Sequence, residues 1–191
     1  FDRLNRALEC ELVSGVSEIE SIRDNIELIK TFHPNVDTIT FVDTYKTLTY
    51  EEILADYPDI NFQWILTENK TLSEVQSLLS NLSSNTAVIQ LYIPKFKDID
   101  TLDRHTINKT IAESCIESPI YNVLNYDVGQ GSIGGKVINH FIQGQKAGSI
   151  ALNLLNGYDS KELFIDDDEA NEYLFDYKAL QKFNIKTSNL P

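Results

Sequence analysis

The stretch NYDVGQGSIGGKVINHF, residues 125–141, sets Gly129, Gly131 and Gly134 at the G-x-G-x-x-G spacing. In a dinucleotide-binding turn such glycines let the backbone approach a pyrophosphate. A helix that starts directly after the third glycine then points its N-terminus at the phosphates. Here Gly134 is followed by GKVINHF, a β-like run, and the helical pattern begins only in QGQKAGSIALNLLNG. The run also follows the fourth strand-like segment of the chain instead of the first. These glycines therefore read as a loop that crosses between structural units where side chains do not fit. No cofactor is expected.

Other catalytic constellations fare no better. His33, His105 and His140 are scattered, and Cys10 and Cys115 are far apart with no C-x-x-C, so the cysteines read as two buried thiols and no metal is expected. A phosphorylation receiver needs an acidic pair after its first strand and an aspartate after its third. FVDTY supplies one acid and YIPKF lacks the aspartate. No nucleophile–base pair is legible, and the protein is not expected to be an enzyme.

The remaining polar and aromatic groups suit binding. In open parallel sheets the ligand crevice lies at the carboxyl ends of the strands. That rule selects Asp43, Thr44 and Tyr45 after one strand, Tyr92 and Lys95 after another, and Asn125, Tyr126 and Asp127 after a third. Rings with a few oriented polar groups fit a small organic ligand. Asp43, Glu51, Glu52 and Asp127 make this end acidic, which favours a ligand bearing an amine or hydroxyls. Asp127, flanked by Tyr126 and the glycine loop, is expected to face the ligand and accept its hydrogen bonds.

The elements that must position these residues alternate in period. SIRDNIELIKTF places Ile22, Ile26 and Ile29 on one helical face, and Pro34 closes it. TITFVD (38–43) reads as a strand, and Thr49 with Glu52 has capping-box spacing for a following helix. INFQWIL (60–66) alternates apolar and polar residues as an edge strand does. TLSEVQSLLSNL opens with a second capping box, Thr71 and Glu74. TAVIQLYI (86–93) is nearly all apolar, like a central strand covered on both faces. A helix over 106–115 and a strand, IYNVL (120–124), come next. Strand–helix alternation with short connections predicts an α/β fold with a doubly wound parallel sheet in three layers. The later helix is expected to turn Ala147, Ile150, Ala151 and Leu154 inward. The net charge of −13 repels phosphate backbones, so no nucleic acid or anionic membrane surface is expected as a partner.

PIYNVLNYDVGQGSIGGKVINHFIQGQKAGSIALNLLNG, followed by NEYLFDYKALQKFNI and NLP, resembles the ABC-transporter substrate-binding-protein-like family. It is most similar to the version used as an extracytoplasmic sensor module of bacterial histidine kinases and diguanylate cyclases. The resemblance implies a type I periplasmic-binding-protein fold, with two α/β lobes joined by crossing segments around a ligand cleft. It divides the chain into a leading helix or hinge segment (1–14), the second lobe (15–128) and a glycine loop, strand and helix that complete the first lobe (129–161). A C-terminal return segment (162–191) completes the chain. The first lobe's opening half would precede Phe1. The resemblance adds the 129–135 segment, with Gln130, to the ligand-facing loops. It implies a non-enzymatic, extracytoplasmic module that binds a small amine- or hydroxyl-bearing molecule such as an amino acid or sugar. Its partners would be covalently linked signalling domains or, for an importer component, an ABC permease. The apolar stripe of helix 142–156 is expected to fold back on the second lobe or pair with another copy in a homodimer.

Overall fold

The computed structural model describes residues 13–46, 50–92, 94–99, 103–165 and 167–191. Cys10, Thr49 and the first twelve residues of the leading segment 1–14 lie outside them. Two compact units are present. The larger holds Ile22–Val137 and Tyr173–Pro191, and the smaller holds residues 13–21 and Ile138–Glu172.

The elements of the larger unit start with α1 (Ile22–Phe32), β1 (Thr38–Asp43), α2 (Glu51–Leu54) and β2 (Asn61–Leu66). They continue with α3 (Leu72–Ser80), β3 (Thr86–Gln90), α4 (Arg104–Ser114) and β4 (Ile120–Asn122). β5 (Gly134–Ile138) and β6 (Asn171–Phe175) carry the chain into and out of the smaller unit, around α5 (His140–Leu155). α6 (Tyr177–Lys182) closes the larger unit.

The strand order is β2-β1-β3-β4-β5-β6. β1 pairs parallel with both β2 and β3, β3 with β4, and β4 with β5. This is the expected doubly wound α/β sheet with β2 at its edge. β6 runs antiparallel to β5, since Asp176 N–H bonds Ile133 O at one end and Asn139 N–H bonds Ala170 O at the other. The burial of β3 on every residue and the alternating exposure of β2 result from their central and edge places.

Alternate strand residues face opposite layers. Val42, Val88 and Ile120 pack with Val75 and Leu79 of α3 and with Ile107 and Ile111 of α4. On the other face Phe41 stacks on Phe62 and on Trp64, at 6.1 and 4.9 Å between centroids. Ile22, Ile26 and Ile29 of α1 are fully buried, as their spacing predicts. Thr71 and Glu74 form the predicted capping box on α3. α2, in contrast, starts at Glu51 after Tyr50, which has φ 44 and no side-chain cap. Cys115 is a buried free thiol, and burial pushes its pKa up to about 12.

α5 departs from the expectation. It begins at His140, directly after β5, with Asn139 as its cap, and of its residues only Ile150 is buried. Ala147, Ala151 and Leu154 are exposed or only partly covered, and Phe141, Leu152 and Leu155 are exposed as well. Among the described residues few elements of its unit cover the apolar face of this helix.

His33, just past α1, lies under the sheet. Its Nε2 is 2.9 Å from the hydroxyl of the fully buried Tyr121, and its ring meets Tyr121 and Phe183 edge-on. Burial lowers its pKa to about 4, so the folded state holds neutral imidazole accepting the Tyr121 proton. The unfolded chain binds a proton near the ordinary 6.5. Stability from this group is therefore complete above that pH and drains away as pH falls toward about 4. Allowing for partial exposure, we expect a loss of about 1–2 kcal/mol between pH 7.5 and 4.5. His33→Gln keeps an acceptor for Tyr121 without a titrating group. Urea denaturation at the two pH values should show a loss smaller by about 1 kcal/mol in this variant, and an equal loss would clear His33.

Candidate functional site

In a 2-1-3-4-5 order the chain winds outward in both directions from the gap between β1 and β3. In open parallel sheets of this order the ligand crevice lies where the loops leaving those two strands diverge. The residues expected to bind come together at this end of the larger unit. Asp43, Thr44 and Tyr45 leave β1, Tyr92 and Lys95 come after β3, and Asn125, Tyr126 and Asp127 form a short 3-10 turn after β4.

The loops are tied to one another. The Lys95 backbone N–H donates to Thr44 Oγ1 at 3.1 Å, bridging the β1 and β3 loops. The Asp43 carboxylate accepts the Thr44 N–H at 2.7 Å. Asp43 and Thr44 are buried, while Tyr45 and Tyr126 expose almost half of their surface and Lys95 reaches solvent. Tyr92, Asn125 and Gln130 are partly buried. Beside this group Lys46 Nζ sits 4.3 Å above the Trp64 ring.

Asp127 is the pivot of the third loop. Its side chain is fully buried. Its Oδ1 accepts Arg104 Nε at 2.9 Å and the Asn108 side-chain amide, and Asn108 in turn accepts Gln90 Nε2 at 2.6 Å. Ser132 Oγ donates to its backbone carbonyl at 3.2 Å. The Arg104 guanidinium carbon lies 3.4 Å from the centroid of the Tyr126 ring. A chain of polar contacts thus runs from β3 through α4 to the loop after β4.

Sequence reasoning did not select Arg104, Asn108 or Gln90. A signal was present, since Arg104 and Asn108 are four residues apart on the α4 face that carries Ile107 and Ile111. Polar residues inside an otherwise apolar stripe need a buried partner. The cavities lined by Asp24, Glu27 and Tyr173 and by Asp37, Asp59 and Asn61 lie elsewhere, the latter at the opposite end of the strands. Among the described residues no group of His, Cys, Asp and Glu is arranged to hold a metal ion. The glycine run leads through Gly134 into β5, so no helix N-terminus comes directly after it as a pyrophosphate site requires.

The ABC transporter substrate binding protein family matches residues 4–190. The chain belongs to that family. No curated protein matches it. Among solved structures of the same fold is the ABC domain from Streptococcus pneumoniae in complex with L-Trp. It is 22% identical, with a TM-score of 0.64, and the match covers 94% of this chain and 61% of that one. A ligand-free, open substrate-binding protein with adhesive properties from Clostridium difficile is 18% identical, with a TM-score of 0.63 over 93% and 61% of the two chains. A conserved domain protein from Vibrio cholerae O1 biovar El Tor is 17% identical, with a TM-score of 0.64 over 94% and 59%. The chain spans about 60% of the length of these structures. The substrate-binding part of the sequence-based expectation holds. These matches lend no support to a kinase- or cyclase-linked sensor, and the importer reading fits them better. Among the described residues no helix is long and apolar enough to cross a membrane.

Proposed function

We propose that this chain is part of the extracytoplasmic substrate-binding component of an ABC importer and captures a small organic molecule without transforming it. The observation that carries the reading is the convergence of Thr44, Tyr45, Lys95 and Tyr126 on loops leaving β1, β3 and β4, tied by the Lys95–Thr44 hydrogen bond. The ligand is small and bears amine or hydroxyl groups, with an amino acid favoured because the Streptococcus pneumoniae neighbour holds L-Trp. Tyr45 and Tyr126 supply stacking area, and Asp43, Thr44, Tyr92, Lys95, Asn125 and Gln130 supply polar contacts around it. Asp127 serves the site by orienting Arg104 and Asn108. A membrane permease is the partner that receives the ligand, and a homodimer through the exposed face of α5 belongs to the same reading. Native mass spectrometry of the protein purified from its own host tests both. A retained molecule of amino-acid or sugar size and a dimer mass are expected. A ligand-free species that also binds no amino acid or sugar in solution would defeat the capture reading, and a monomer would remove the dimer from it.

A further inference from the structure

Resting on that reading of the site, we infer that the Arg104 guanidinium is the receptor for a carboxylate of the ligand. The group is held on one edge and one face. Its Nε bonds Asp127 Oδ1 at 2.9 Å, and its plane lies against the Tyr126 ring, 3.4 Å from the centroid. The holding carboxylate is itself fixed, with no exposed surface and with Asn108 and Ser132 bonded to its side chain and backbone. The arginine's rotameric freedom is thus spent before any ligand arrives.

The outer edge remains. Among the described residues the two Nη groups have no hydrogen-bond partner, and the side chain keeps 28% of its surface exposed. Two parallel N–H groups on a rigid fork match a carboxylate in a bidentate pair. A merely structural counter-ion for Asp127 would need neither the contact with the Tyr126 ring nor two Nη groups left unbonded among the described residues. Arg104 opens α4, the helix that comes after β3, so it stands at the same end of the sheet as Tyr45, Lys95 and Asn125. A phosphate would suit the same fork. A single guanidinium on a chain of net charge −13 favours a monoanion over a dianion.

The experiment uses the full-length protein with the standard L-amino acids, glucose and inorganic phosphate as probes in thermal-shift and calorimetric titrations. Each amino acid that binds is then compared with its decarboxylated amine, L-tryptophan with tryptamine first. We expect the binder to carry a carboxylate and Arg104→Gln to weaken it roughly 10- to 100-fold, leaving the weak binding of the amine unchanged. Arg104→Gln exposes Asp127 to the loss of its counter-ion, so Arg104→Gln/Asp127→Asn, which removes both charges, is measured beside it and should show the same loss. A binder without a carboxylate, tight phosphate binding, or an amino acid held equally well by the folded double variant would overturn the inference and leave the capture reading standing. No binding by any probe would overturn both.

Discussion

Gly134→Ala is expected to cost the fold about 3–5 kcal/mol, enough to unfold a domain of ordinary stability at 37 °C or bring it close. Gly134 opens β5 at φ 100, where an L side chain is strained. A Cβ built there falls 2.0 Å from Leu174 O, 3.0 Å from Leu174 C and 3.1 Å from Phe175 Cα, all backbone atoms of β6. A flexible side chain would swing aside, but a paired strand has to shift bodily. Gly144 and Gly148 provide the control. They lie in α5 with nothing within 4 Å of a built Cβ, and alanine there should stabilise by about 0.5–1 kcal/mol. Urea denaturation of the three variants measures the contrast. A Gly134→Ala protein within about 1 kcal/mol of wild type would mean that β5 and β6 do not approach as described.

The parallel sheet is legible in the sequence because its signal is local and periodic. TITFVD, INFQWIL and TAVIQLYI announce half-buried and fully buried strands, and they pair in parallel with β2 at the edge, as expected. The glycine loop is legible in part. The β-like run after Gly134 rules out a pyrophosphate turn, while the reason for the glycine itself lies in a strand some forty residues later. Asp127 stands out in the sequence for the right oddity, a carboxylate in an unlikely place, but its environment depends on Arg104 and Asn108. Their charge and amide come from a helix whose pattern is dominated by its apolar residues. α5 misleads for a related reason. Helical periodicity identifies an apolar face but not what covers it, and only Ile150 finds cover.

Asn25→Leu should be nearly as damaging, at about 2–4 kcal/mol. Asn25 sits within the α1 stripe of Ile22, Ile26 and Ile29 and is itself fully buried. Its amide grips one residue of β5 at both ends. Nδ2 donates to Lys136 O and Oδ1 accepts the Lys136 N–H, each at 3.0 Å. A side chain here does the work of a neighbouring strand. Gly135 makes room for it, since a Cβ on Gly135 would fall 2.1 Å from Asn25 Oδ1. Leucine fills the same volume and bonds neither group, which strands a backbone donor and acceptor in a poorly hydrated place. The specific signature is hydrogen exchange. In Asn25→Leu the Lys136 amide should lose its protection while the amides of β1 and β3 keep theirs under conditions where the variant remains folded. Retained protection at Lys136 would show that something other than Asn25 shields it.

The contact between Lys46 and Trp64 has an optical consequence. Trp64 is the one tryptophan of the 191 residues. It stands on β2 against Phe41 of β1, with the ammonium of the β1 loop 4.3 Å above its ring. A point charge at that distance perturbs the excited-state dipole of an indole, so the emission colour depends on where Lys46 sits. Excitation at the red edge of the absorption band selects this chromophore over the nine tyrosines. The β1 loop therefore has a built-in reporter in the neighbouring strand. A ligand that rearranges Thr44 and Tyr45 would register as a spectral shift in unlabelled protein.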